Sequence, residues 1–234
     1  MTDTTTLALV IGGAVASIGL SGVGASIGQR MAASTSSLLM SEKPERFGIT
    51  LILTVLVETS AIYGLLVSIL ILANLGSATN TYQGLAALAA GLCVGIPGFF
   101  TGIGEGIASS ASIGAVAERE SVFGKTLVLT VLPETGAIYG LLVAVLILSG
   151  SGFLGEAKAP IEAVGTASLY AAIVICMTSV SSYLQGRVGG SAISATTKRD
   201  EIFGRDLIFV VLLESVLIYG LLTAILILTF NGVI

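Results

Sequence analysis

The sequence has no histidine and no tryptophan, two cysteines, four prolines, and little charge of either sign: 10 Lys and Arg against 14 Asp and Glu in 234 residues. Charged residues make up 10% of the chain, where a soluble domain carries about a quarter. So few cannot cover a water-facing surface. A soluble enzyme is thereby excluded, and so is a nucleic-acid binder, which needs a basic face. The net charge of −4 says little about partners until the charges are placed along the chain. Cys93 and Cys176 lie in apolar stretches without metal-ligand spacing, and they read as small core residues. The opening Met1-Thr2-Asp3-Thr4-Thr5-Thr6 carries no basic residue, so the first apolar stretch is not expected to be a cleaved signal. What is abundant is apolar: 54% hydrophobic residues, 30 glycines and a mean hydropathy of +1.02. This is the composition of an integral membrane protein.

Six apolar stretches stand out, at about 7–39, 47–73, 83–116, 123–149, 161–194 and 203–230. Each exceeds the ~20 residues that a membrane-spanning helix requires. The even-numbered stretches open with Phe47-Gly48, Phe123-Gly124 and Phe203-Gly204, and a glutamate follows each Phe by eleven residues: Glu58, Glu134 and Glu214. Tyr-Gly-Leu-Leu begins five residues later, at Tyr63, Tyr139 and Tyr219. Over 27 ungapped positions, 47–73 and 123–149 share 20 identities, and 123–149 and 203–229 share 15. The chain is therefore expected to be an all-α membrane protein, six transmembrane helices in three tandem antiparallel hairpins. The hairpins are placed at 1–76, 77–155 and 156–234.

A repeat of two spans keeps every copy in one orientation, so the copies are related by an axis along the membrane normal. The first helix of each hairpin is rich in small residues, such as Gly98, Gly102 and Gly106 at four-residue spacing, which let backbones approach closely. The second is dominated by Leu, Ile and Val, which suit lipid. Small-residue helices inside and bulky ones outside describe a curved wall, and several chains are expected to close it into a two-layer homo-oligomeric ring. Arg30, Lys43, Arg46, Arg119, Lys125, Arg187, Lys198, Arg199 and Arg205 lie at the within-hairpin turns or the helix ends beside them, and only Lys158 lies opposite. Those turns are thus expected in the cytoplasm, with both termini outside. The same turns carry Glu42, Glu45, Glu118, Glu120, Asp200 and Glu201. They read either as solvated loops that set topology or as a polar collar that docks a cytoplasmic partner.

Glu58, Glu134 and Glu214 each sit near the middle of an apolar segment, where an ionised side chain costs at least ~2.5–3.5 kcal/mol. Such a residue is functional by default. Residues equidistant from the turn of an antiparallel hairpin lie at equal depth, and 29 residues before each glutamate stand Gln29, Glu105 and Gln185. At 1.5 Å per residue this belt is roughly 20 Å from the loop apex, near mid-membrane. Thr59, Thr135 and Ser215 follow the glutamates, and Thr101 and Ser181 lie one turn before Glu105 and Gln185. A lone hydroxyl most often bonds its own helix backbone, so the repeated set carries the argument. A proton carrier needs only the carboxylate, a nonpolar shell and at most one acceptor. A Na+ site needs several hard oxygens, which amide, carboxylate, hydroxyl and backbone carbonyl together supply. Pro133 leaves the carbonyl of Leu129 without its helix partner, and the three tyrosines are placed to hold the carboxylates. In the second copy two carboxylates and one Na+ leave a negative charge in low dielectric. Glu105 is therefore expected to hold a proton and donate to Glu134, unless two cations bind.

At Pro133-Glu134-Thr135-Gly136-Ala137-Ile138-Tyr139-Gly140 the chain resembles the proteolipid ring subunit of rotary ATPases, the component lettered c in some of these enzymes and K in A-type and related V-type ones. The likeness covers nearly the whole chain, and triplicated hairpins look most like the form in methanogenic archaea. The resemblance implies that Glu58, Glu134 and Glu214 carry the ion, that Gln29, Gln185, Thr59, Thr135 and Ser215 ligate Na+, and that the tyrosines orient the carboxylates. Glu105 departs from the ligand Gln. It also implies no organic cofactor, no catalysis by the chain alone, a plasma-membrane location, a stator subunit that carries an arginine, and central-stalk subunits at the cytoplasmic loops. The same ring driven by H+ is the nearest alternative. A secondary transporter or channel with pore-lining glutamates is the alternative from another class, although each copy has a single polar belt rather than polar stripes.

Overall fold

The computed structural model describes residues 3–155 and 161–234, so Lys158 lies outside the described residues. Helix α1 spans Thr4–Glu42, and a 3-10 turn at Pro44–Arg46 leads into α2 (Phe47–Leu56) and α3 (Thr59–Ala73). The second copy has α4 (Thr81–Glu118), α5 (Phe123–Val131) and α6 (Thr135–Gly150), with a 3-10 turn at Leu132–Glu134. The third has α7 (Ile161–Thr178), α8 (Val180–Lys198), α9 (Phe203–Val211) and α10 (Glu214–Phe230). Strands are absent among the described residues. Five helical segments are long and apolar enough to cross a membrane, and the bent pair of α2 and α3 makes a sixth. The 39 residues of α1 extend about 58 Å, so its ends project beyond a ~30 Å hydrocarbon core.

The inner row consists of α1, α4 and α7–α8, with α4 in the middle and the most enclosed. Its seams are made of glycine. A Cβ on Gly28 would strike the carbonyl of Gly102, and one on Gly186 would strike the backbone of Gly104. Helix faces without side chains bring backbones into van der Waals contact, the main attraction available where lipid is as apolar as the helices. The outer helices pack against this row. Val67, Ile71, Val143, Ile147, Leu148 and Leu228 form the core toward the termini, while Leu129, Ile193 and Val210 form a smaller one toward the turns.

The expected spans are present, but they are not uniform α-helix along their length. Each outer span departs from α-helix beside its glutamate: the pair α2 and α3 bends by 41°, the second span passes through the 3-10 turn at Leu132–Glu134, and the amides of Glu58 and Leu213 bond three residues back, to Val55 and Val210, rather than four. The inner stretch 161–194 also breaks, at Ser179. There Thr178 Oγ1 donates to Val174 O at 3.0 Å and Ser179 Oγ to Cys176 O at 2.7 Å. Hydroxyls that back-bond in this way compete with the amide ladder and bend helices.

Candidate ion-carrying site

The broken outer helices explain where the carboxylates sit. Glu58 precedes α3, Glu134 ends the 3-10 turn before α6, and Glu214 opens α10. Proline is not the cause, since only the second copy has one; Val57 and Leu213 hold the position of Pro133. Hydroxyls account for the break better. Thr59, Thr135 and Ser215 donate to Leu56 O, Leu132 O and Leu212 O at 2.9, 3.0 and 2.8 Å. From the inner helices, Thr101 donates to Pro133 O at 3.2 Å and Ser181 to Leu213 O at 2.7 Å. The first copy has Ala25 there and lacks this bond. Each hydroxyl that donates to a carbonyl keeps its lone pairs, so the three that follow the glutamates still offer an oxygen to a cation.

Inner and outer helices meet at the carboxylates. Gln29 Nε2 donates to Glu58 Oε2 at 3.3 Å, and Gln185 Nε2 to Glu214 Oε2 at 3.4 Å and to Val210 O at 3.4 Å. Gln185 is fully buried, and its Oε1 receives no hydrogen bond. An enclosed amide oxygen without a donor keeps both of its lone pairs unused. In the second copy Glu105, which the register sets against Glu134, is likewise fully buried. The hydrogen bond expected between them is not formed, and both Glu105 oxygens lack a partner.

The tyrosines act across copies. Tyr63 donates to Glu134 Oε1 at 2.6 Å and Tyr139 to Glu214 Oε1 at 2.8 Å, each reaching the carboxylate of the following hairpin. Tyr219, on the third hairpin, is 64% exposed, and Glu58, on the first, is exposed. Depth-matching within a hairpin carries no information on this lateral step; the equal spacing of Tyr and Glu in all copies was the only signal. Glu214 has the full arrangement, a carboxylate held by an amide from its own hairpin and a phenol from the hairpin before it, whereas Glu58 has the amide alone and Glu134 the phenol alone.

Repeated helical hairpins whose outer helices each hold a carboxylate midway along an apolar span define a membrane protein that binds and moves small cations. The chain belongs to the family of ATP synthase C subunits, whose pattern matches it three times, at residues 12–71, 88–147 and 163–227. It is 41% identical over 221 residues to the A-type ATP synthase subunit K of Methanocaldococcus jannaschii, covering 94% of this chain and 96% of that one. It is also 34% identical to the V-type sodium ATPase subunit K of Enterococcus hirae, over 55% of this chain and 82% of that one. The 16 kDa proteolipid of the V-type proton ATPase of Ovis aries is 30% identical, over 58% of this chain and 87% of its own length. The chain is a proteolipid ring subunit of the rotary A- and V-type ATPases.

Proposed function

We propose that this proteolipid carries Na+ on Glu58, Glu134 and Glu214, and that several copies close into the rotor ring that couples ion flow to rotation. The observation that carries the choice of ion is the buried Gln185 Oε1 without a donor, two bonds from an amide nitrogen that already holds Glu214. With a Glu214 oxygen and the Ser215 hydroxyl, it offers the several hard oxygens that a dehydrated Na+ requires. Gln29 and Thr59 serve Glu58 in the same way, and Thr135 serves Glu134. Glu105 makes the middle site richer by one carboxylate, so its charge balances with one Na+ only when a proton or a second cation is also present.

The working principle follows from charge. A loaded carboxylate is neutral and crosses lipid; an emptied one must stay beside a cation, the arginine of a separate stator subunit. Each 100 mV supplies ~2.3 kcal/mol per elementary charge, so ions are summed by rotation before one ATP is made. The step from Tyr63 to Glu134 and from Tyr139 to Glu214 repeats once more between chains, where Tyr219 of one copy bonds Glu58 of the next. The basic residues at the turns support cytoplasmic loops that meet the central stalk, with the termini outside the plasma membrane.

A carbodiimide, which attacks protonated carboxyls, tests the ion. Labelling of Glu58, Glu134 and Glu214 is expected to be suppressed by millimolar NaCl at raised pH and not by KCl. Labelling indifferent to Na+ at every pH would assign the ring to H+.

A further inference from the structure

The turns between inner and outer helices carry ion pairs that all run one way. Arg46 of the first hairpin pairs with Glu120 of the second, and Lys43 Nζ donates to Ala117 O at 2.6 Å. In the second hairpin Arg119 meets Asp200 of the third at 3.2 Å and Lys125 meets it at 2.6 Å, while Lys125 also lies 5.7 Å from the centre of the Phe203 ring. The hydrogen bond from Lys125, joined by the charges of Lys125 and Arg119, holds the Asp200 carboxyl below the usual carboxylate range. In both seams the base belongs to the earlier hairpin and the acceptor to the later one.

The repeat register shows what is left over. Arg199 and Arg205 hold the positions of Arg119 and Lys125, 80 residues on. Both are exposed, and among the described residues neither has an ion-pair partner. At the opposite end, Pro44 holds the position of Glu120 and Asp200, with Glu42 and Glu45 on either side of it. These two acids are also exposed and, among the described residues, unpaired. One edge of the chain thus presents a base pair that elsewhere holds an acid, and the other edge presents acids without a base. The complement of each edge is the other edge.

We propose that Arg199 and Arg205 of one copy seat on Glu42 and Glu45 of the next, a charge lock that makes neighbouring chains join head to tail at the turn-side rim. The occupant of this surface is a second copy of this chain, because the lock continues the seams already formed twice within it. Complementary charge of this kind selects orientation and speeds encounter more than it adds affinity. A chain presented in the reverse order would set Arg199 and Arg205 against like charge. The lock rests on the ring assignment made above and takes the docking reading of the collar a step inward, since many of its charges are spent on neighbouring loops.

Two measurements on the full-length chain in its membrane test it. In a variant with Arg205→Cys and Glu45→Cys, a short bismaleimide is expected to yield a ladder of covalently joined chains on a denaturing gel, where each single variant yields none. In charge-reversed chains, Arg199→Glu with Arg205→Glu, the yield of closed rings by native mass spectrometry is expected to fall about 1.4- to 5-fold for each pair lost, the range of exposed ion pairs. Adding Glu42→Lys and Glu45→Lys restores it, and 1 M KCl levels the difference by screening. Wild-type rings with no ladder and no rescue overturn the lock alone. Wild-type chains that never assemble overturn both the lock and the ring.

Discussion

Along the inner row, neighbouring copies meet backbone to backbone, as at Gly28 with Gly102 and Gly104 with Gly186. The outer helices reach their neighbours through long side chains instead, Tyr63 to Glu134 and Tyr139 to Glu214, and each is broken at the carboxylate. Where the seams are glycine the backbones close directly on one another and leave no room for a side chain. The polar groups an ion requires therefore gather on the outer side of that wall, where hydroxyls and freed carbonyls of the breaks lie beside the glutamates. Small residues and broken helices are two halves of one device: the first seals, the second opens a site.

The sharpest way to break this contrast is to thicken an inner seam. A Cβ at Gly102 lies 2.5 Å from the amide nitrogen of Ala25 and 2.6 Å from the carbonyl carbon of Gly24. Gly102→Val forces α1 and α4 apart, at a cost of about 1–3 kcal/mol or more for overpacking, and is expected to abolish assembly as seen on a native gel. Gly114→Ala, in the same helix but facing open space, is the matched control and leaves assembly unchanged.

The outer contacts are expected to be worth less for folding and more for the ion. Tyr139→Phe deletes one hydrogen bond to a carboxylate, about 1.5–3 kcal/mol when the acceptor is charged. The Na+ concentration that protects Glu214 from carbodiimide should rise about tenfold or more, with ring yield unchanged. Glu134 keeps its bond from Tyr63 and should show no change. Equal loss of protection at both glutamates would mean that the tyrosines hold the wall and not the individual carboxylates.

How far the sequence reached depends on direction within the molecule. Along the membrane normal it reached far: 29-residue symmetry about each turn set Gln29 against Glu58 and Gln185 against Glu214, and both pairs are hydrogen-bonded. The threefold Phe, Glu and Tyr register likewise defines the hairpin repeat. Around the wall it did not reach, because spacing within one hairpin says nothing about the lateral offset between hairpins. That offset carries Tyr63 and Tyr139 to carboxylates 71 and 75 residues away. The outer breaks were hidden for another reason. An apolar run such as Phe47–Ala73 carries no glycine or proline at the break, and the signal there is a hydroxyl one residue after the run's single acid.

That signal makes a prediction of a near-null effect. Proline in a continuous helix interior costs about 3 kcal/mol, so Pro133→Ala would be strongly stabilising if proline alone imposed the 3-10 turn between α5 and α6. The first and third copies break at the same place with Val57 and Leu213. In the second copy Thr135 donates to Leu132 O and Thr101 to Pro133 O, as their counterparts do in the third. Both acceptors are backbone carbonyls and survive the substitution. Pro133→Ala is therefore expected to keep the break, to shift stability by less than about 1 kcal/mol, and to leave Na+ protection of Glu134 within about twofold, by the same carbodiimide titration. A Glu134 that loses protection while Glu58 and Glu214 keep theirs would return the bend to proline.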